Sequence, residues 1–156
     1  MHERFRIYAE ALHPKYEELI RMTPVTTGTL PPALKGAGVY LFSEAGRHLY
    51  VGRTRDVRKR YRQHTGTGAG HNSAPFAFKL AREATGFLRS NYRSDETSRA
   101  NLMLNTEFRS AFDSALVRMR AMEFRFVEEA DPTRQCLLEI YVSVVCGSPY
   151  NDFDTH

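Results

Sequence analysis

The side chains best suited to chemistry lie in one short stretch and at two later positions. Residues 38–64 read GVYLFSEAGRHLYVGRTRDVRKRYRQH. Two tyrosines, Tyr40 and Tyr50, stand ten positions apart there, and between Arg47 and Arg62 seven basic residues (Arg47, Arg53, Arg55, Arg58, Lys59, Arg60 and Arg62) are set against one acid, Asp56. Clustered cations of this kind suit an anionic partner such as a nucleic acid, and they read equally as a solvated helix face. Further along, Glu139 is embedded among the apolar residues of a late helix, and Asn151 follows close to the end.

Two strands and a helix must position the first group. Gly38-Val39-Tyr40-Leu41-Phe42 and His48-Leu49-Tyr50-Val51-Gly52 are rich in β-branched and aromatic residues and predict a hairpin. With a three-residue loop of Glu44, Ala45 and Gly46, and Gly46 at positive φ, Ser43 faces Arg47 and Tyr40 faces Tyr50. A loop one residue longer puts the tyrosines on opposite faces. Asp56 is a good N-cap for a helix from Val57 to about His64. On that helix Val57, Arg60, Tyr61 and His64 share one face by their i, i+3, i+4, i+7 spacing, while Arg58, Lys59, Arg62 and Gln63 lie elsewhere. An arginine and a histidine on the inner face need partners, because unpaired burial costs several kcal/mol. They therefore cap a structural network or line a cleft.

The remainder supplies packing. Helical spacing over the first 22 residues, with Pro14 splitting or kinking the run, predicts an N-terminal extension; a Pro- and Gly-containing loop follows to Ala37. Residues 65–74 (TGTGAGHNSA) form a loop whose glycines lack both the spacing and the preceding strand of a phosphate-binding motif. A helix is expected from Pro75 to Thr85, closed by Gly86, then a polar stretch from Ser90 to Ser98. One more helix ends near Met119, with Leu104, Phe108, Phe112 and Leu116 as core. Residues 122–127 (MEFRFV) alternate as a third strand, and Asp131-Pro132 opens the helix that carries Glu139 and ends at Gly147.

Size and composition set bounds. A chain of 156 residues, 42% hydrophobic and 26% charged, is expected to be one domain whose core needs no metal or disulfide staple. No apolar run approaches the roughly 20 residues of a membrane span, and the mixed charges of MHERFRIYAE do not make a signal peptide, so a cytoplasmic protein without a membrane partner is expected. Cys136 and Cys146 fall about 15 Å apart along one helix, too far for a bridge, and are expected to be buried thiols. The net charge of +4 permits a nucleic-acid partner without requiring one.

Taken together, Gly38-Val39-Tyr40, Tyr50-Val51-Gly52, Arg60, His64, Glu139 and Asn151 resemble the GIY-YIG endonuclease superfamily in order, residue type and spacing. The only departure at the signature positions is valine for isoleucine. The resemblance covers residues 36–64 and about 120–151. It implies an α+β fold: a small three-stranded antiparallel sheet flanked by helices, here with a helical N-terminal extension (1–36), the hairpin and basic helix (37–64), a helical insertion (65–118), and the third strand with the metal-site helix (119–151).

The resemblance also implies a divalent-metal-dependent endonuclease that hydrolyses DNA phosphodiester bonds. Glu139 stands at the metal-binding carboxylate, suited to Mg²⁺ or Mn²⁺ that keeps its waters and takes substrate oxygens. Arg60 stands at the catalytic arginine, able to stabilise the phosphate in the transition state. Tyr40 and Tyr50 are the signature tyrosines: Tyr40 as the base, Tyr50 as phosphate ligand or relay. A phenol near pKa 10 needs a nearby cation or hydrogen-bond acceptor for that role, and Arg60, Arg53 and His64 are the candidates. His64 corresponds to a proton shuttle or phosphate contact, and Arg53 to a phosphate-contacting basic residue. Arg55, Arg58, Lys59 and Arg62 make up the rest of a DNA-facing surface. Asn151 corresponds to an asparagine that holds the site together. A monomer with one cleavage centre nicks one strand; a homodimer cuts two. The alternative is a non-catalytic nucleic-acid-binding module on the same scaffold.

Overall fold

The computed structural model of the protein describes residues 1–87 and 98–153. All but Ser98 of the polar stretch expected from Ser90 to Ser98 lies outside them. The chain forms two compact units, one comprising Met1–Arg60 with Met122–His156 and the other Tyr61–Ala121.

In the first unit, strands β1 (Gly38–Glu44), β2 (Arg47–Thr54) and β3 (Glu123–Glu128) make an antiparallel sheet in the order β2-β1-β3. The alternation read in the sequence divides this sheet into two faces. Val39, Leu41, Val51 and Val127 pack with Leu12 and Leu19 of α2 (Leu12–Arg21) and with Leu138 and Val142 of α7 (Pro132–Cys146). Burying each such aliphatic side chain is worth about 1.5–3 kcal/mol, which pins the register. The opposite face carries Tyr40, Phe42 and Phe124, with Phe42 and Phe124 edge to face at 5.1 Å and Tyr40 stacked on Phe124 at 5.8 Å.

The hairpin departs from the expected register. Ala45 (φ 50°) and Gly46 (φ 76°) form a two-residue turn with both residues left-handed, so Glu44 pairs with Arg47 and Ser43 with His48. By itself this shorter turn would place the tyrosines on opposite faces. Leu49 then bulges out of the ladder, shifting the pairing to Phe42–Tyr50 and Tyr40–Gly52. The bulge restores the parity that the turn removed, and both phenols share one face after all, with ring centroids 6.4 Å apart.

Both outer edges of the sheet are covered. Val25 exchanges two backbone hydrogen bonds with Phe124 of β3, at 2.8 and 2.9 Å, and the C-terminal segment lies along β2. The N-terminal helices α1 (Glu3–Glu10) and α2 separate at Ala11, upstream of Pro14. Pro14 occupies the first turn of α2, where its missing N–H leaves no intrahelical bond unmade. At the other end, Asp131 caps α7 by accepting from Arg134 N at 2.8 Å, and Gly147 terminates it at φ 60°. Cys136 and Cys146 are free and only half-buried, because they lie at the margin of the α7 core face and not at its centre.

The second unit begins inside α3 (Val57–Thr65), between Arg60 and Tyr61, and contains α4 (Pro75–Thr85), α5 (Arg99–Leu104) and α6 (Thr106–Ala121). Phe78 of α4 packs on Phe108 of α6 at 5.0 Å, and Phe112 and Leu116 continue that core. The single helix expected here is two, since the Asn105 side chain accepts from Phe108 N at 3.0 Å and starts α6 afresh. Leu104 consequently falls outside the core and is 82% exposed.

Candidate active site

Packing of the sheet sets the tyrosines first. Tyr40 is fully buried between Phe42 and Phe124 and stands across the ladder from Gly52. A Cβ on Gly52 would run into the Tyr40 hydroxyl and ring, and one on Gly38 would meet the Val127 carbonyl and the Phe126 ring. Gly38 and Gly52 are therefore positions of close approach, where a side chain has no room.

Asp56 caps α3 through its carboxylate, which accepts from Lys59 N at 3.1 Å, and the helix then delivers Arg60 to the aromatic face. Arg60 Nε donates to the Tyr40 hydroxyl at 3.1 Å. Burial pushes the Tyr40 phenol far up, helped by Tyr50 and opposed by the charge and hydrogen bond of Arg60; Glu139 adds a smaller upward push. Burial also raises Tyr50, again against the charge of Arg60. Arg60 is thus the cation that each phenolate would depend on.

Glu139 comes from α7, near enough for its charge to raise both Tyr40 and Tyr50. Arg53 shares a sheet face with Val39, its cross-strand partner, which is the face that α7 covers. Its Nε donates to Glu139 Oε2 at 3.0 Å, with the Glu139 side chain 20% exposed and that of Arg53 48%. Burial raises the Glu139 carboxyl above its ordinary value, while Arg53 first and Arg60 second pull it down. Arg60 thus bears on both phenols and on the carboxylate, and Arg53 on the carboxylate alone.

Asn151 sits against the outer edge of β2. Its Oδ1 accepts from Val51 N and its Nδ2 donates to Val51 O, both at 2.8 Å, while Ser148 Oγ donates to the same Oδ1 at 2.8 Å. Together with the bond from Tyr150 N to Leu49 O at 3.2 Å, this fixes the free edge of β2 on either side of Tyr50. The part taken by Ser148 had no signal in the sequence beyond its closeness to Asn151.

The basic surface divides. Arg58 is turned to the preceding loop, donating to the carbonyls of Pro31 at 2.9 Å, Leu34 at 3.2 Å and Leu30 at 3.5 Å. Arg53, Arg55, Lys59 and Arg62 are exposed. His64 is fully buried and belongs to the second unit.

Among the described residues no group of three or more His, Cys, Asp or Glu side chains converges to hold a metal. The donor set fits a hard cation that keeps most of its waters: one half-buried carboxylate, to be completed by water and phosphate oxygens. No described helix is long and apolar enough to cross a membrane.

Comparison with known proteins points to one family. Residues 36–99 match the family model described as the GIY-YIG catalytic domain, which supports membership of the GIY-YIG nuclease superfamily and implies nuclease-type activity. Tyr40, Tyr50, Arg53, Arg60 and His64 fall inside the matched stretch, whereas Glu139 and Asn151 lie beyond it and join the site through the fold. No curated protein and no solved structure matches the chain.

Proposed function

We propose that this protein is a divalent-metal-dependent endonuclease acting on phosphodiester bonds of DNA. The observation that carries the reading is the Arg60–Tyr40 contact together with the electrostatic reach of Arg60 to Tyr50 and Glu139. Arg60 donates to the Tyr40 hydroxyl, and its charge favours the ionised forms of Tyr50 and Glu139 as well.

Hydrolysis forms one P–O bond from water and breaks the one to the sugar oxygen, which takes up a proton and leaves as a hydroxyl, while the attacking water gives a proton to a base. Tyr40 is assigned as the acceptor of that proton; its hydroxyl receives a hydrogen bond from Arg60 Nε that would stabilise the phenolate. Tyr50, on the same face, orients the phosphate or relays the proton. Arg60 offsets the charge that grows on the phosphate oxygens, a term worth about 10²–10³ in rate when one such donor is lost. Glu139 would hold Mg²⁺ or Mn²⁺, which supplies Lewis-acid activation of the phosphate or the water. Arg53, Arg55, Lys59 and Arg62 bind the DNA backbone, and Asn151 keeps β2 in place.

The reading includes a cytoplasmic site of action and a monomer that nicks or a homodimer that cuts both strands. Incubation of the protein with Mg²⁺ or Mn²⁺ and supercoiled plasmid, flap, bubble and Holliday-junction DNA tests it. Cleavage of at least one substrate, abolished by EDTA, is expected. Salt-sensitive binding without cleavage of any of them would leave a non-catalytic binding module instead.

A further inference from the structure

Arg53 has two addresses. One is Glu139, whose Oε2 accepts from its Nε at 3.0 Å. The other is a groove of about 470 Å³ at the end of β2, lined by Arg53, Thr54 and Arg55 on one side and by Ala130, Pro132 and Gln135 on the other. With 48% of its side chain exposed, Arg53 is not locked by packing at either place.

We propose that Arg53 is an exchangeable latch, closed on the Glu139 carboxylate without metal and opened into the groove beside Arg55 to hold a DNA phosphate flanking the cut. The inference rests on the reading of Glu139 as the metal ligand. A guanidinium hydrogen-bonded to Oε2 competes with a dication for the same lone pairs, and the two positive charges repel. Releasing Arg53 toward Arg55 brings two guanidinium groups to one groove, an arrangement that an intervening phosphodiester stabilises. Each ligand therefore favours the other: metal frees Arg53 for phosphate, and phosphate draws Arg53 off the carboxylate. By linkage the two effects have equal size. The latch keeps the carboxylate countercharged until DNA and metal are both present.

Mn²⁺ binding to the DNA-free protein, followed by electron paramagnetic resonance at about pH 8.5 so that the carboxyl is ionised, reads the latch directly. Arg53→Gln is expected to bind Mn²⁺ roughly fivefold or more tightly than the wild type, a coupling of the usual allosteric size. Equal or weaker binding overturns the latch. Glu139→Ala separates the two levels: if it binds Mn²⁺ as the wild type does, the metal assignment itself is wrong, whereas its loss of binding alongside an unchanged Arg53→Gln variant sinks the latch alone. A measurement on the unmodified protein makes the conclusion independent of how the variants fold. The Arg53 Nε–H resonance should lose its hydrogen-bonded shift and exchange protection during a Mg²⁺ titration, and a resonance that stays put while Mg²⁺ binds contradicts the proposal.

Discussion

Asn151 closes both backbone hydrogen bonds of Val51 with a single side-chain amide, as a neighbouring strand would, at 2.8 Å each. Because Val51 separates Tyr50 from Gly52, this clasp fixes the backbone that presents one phenol and makes room for the other. Asn151→Ala leaves a backbone donor and acceptor unpaired and is expected to cost about 1–3 kcal/mol in urea unfolding. Its cleavage rate should fall while Mn²⁺ binding is unchanged. A variant as stable and active as the wild type would mean that the edge of β2 is held without it.

Gly52 is fixed by contact with Tyr40. A methyl group there meets both the hydroxyl and the ring of Tyr40, which is itself hemmed in by Phe42 and Phe124. Gly52→Ala is expected to destabilise the protein by about 1–3 kcal/mol, the usual cost of overpacking. It should also displace the Tyr40 hydroxyl from Arg60, so that cleavage falls by more than the loss of folded protein explains. Thermal melts paired with rates at a temperature where both proteins are folded would check this.

Protonation of the phenols predicts an alkaline rate profile. Tyr40 and Tyr50 are both raised above 10.0 by burial, so at neutral pH each is a phenol and the base form is scarce. Single-turnover cleavage should rise about tenfold per pH unit through neutrality, with no plateau below about pH 10. A plateau beginning near pH 7 would point to another group as the base.

The charge on Glu139 carries a stability cost. Its folded pKa lies above the ordinary 4.5, so its contribution to stability is full below the unfolded pKa and is lost as pH rises through the folded value. Glu139→Gln should therefore gain stability over the wild type between acid and neutral pH in metal-free buffer, with Gln still able to accept from Arg53. Urea midpoints of both proteins at about pH 4 and about pH 8 give the comparison. A variant that loses ground at the higher pH would show that the Arg53 ion pair outweighs burial.

Much of the framework was legible in the sequence, because it is written in local signals. Asp56 and Asp131 cap the helices they precede, Gly86 and Gly147 end theirs at positive φ, and the alternation along β1, β2 and β3 sorts the aliphatic face from the aromatic one. The spacing of Val57, Arg60, Tyr61 and His64 turned Arg60 toward Tyr40, as its contact shows. What the sequence hid depends on two errors of count that cancel. The turn at Ala45-Gly46 is one residue shorter than the glycine suggested, and the bulge at Leu49 adds the residue back, so the tyrosines share a face through a different register. Side-chain capture was hidden for another reason. An exposed arginine on a basic helix gives no sign that loop carbonyls 24–28 positions earlier will take it, as Pro31, Leu34 and Leu30 take Arg58. Nor does Arg53 announce a carboxylate 86 positions later.

The central claim is that Glu139 is the metal-binding carboxylate of a nuclease, and cleavage by Glu139→Gln tests it most directly. On a DNA substrate that the wild type cuts with Mg²⁺, this variant should melt no earlier than the wild type and keep its DNA affinity yet cleave at least about 10²-fold more slowly. Cleavage by Glu139→Gln at the wild-type rate, with the same metal requirement, would contradict the account.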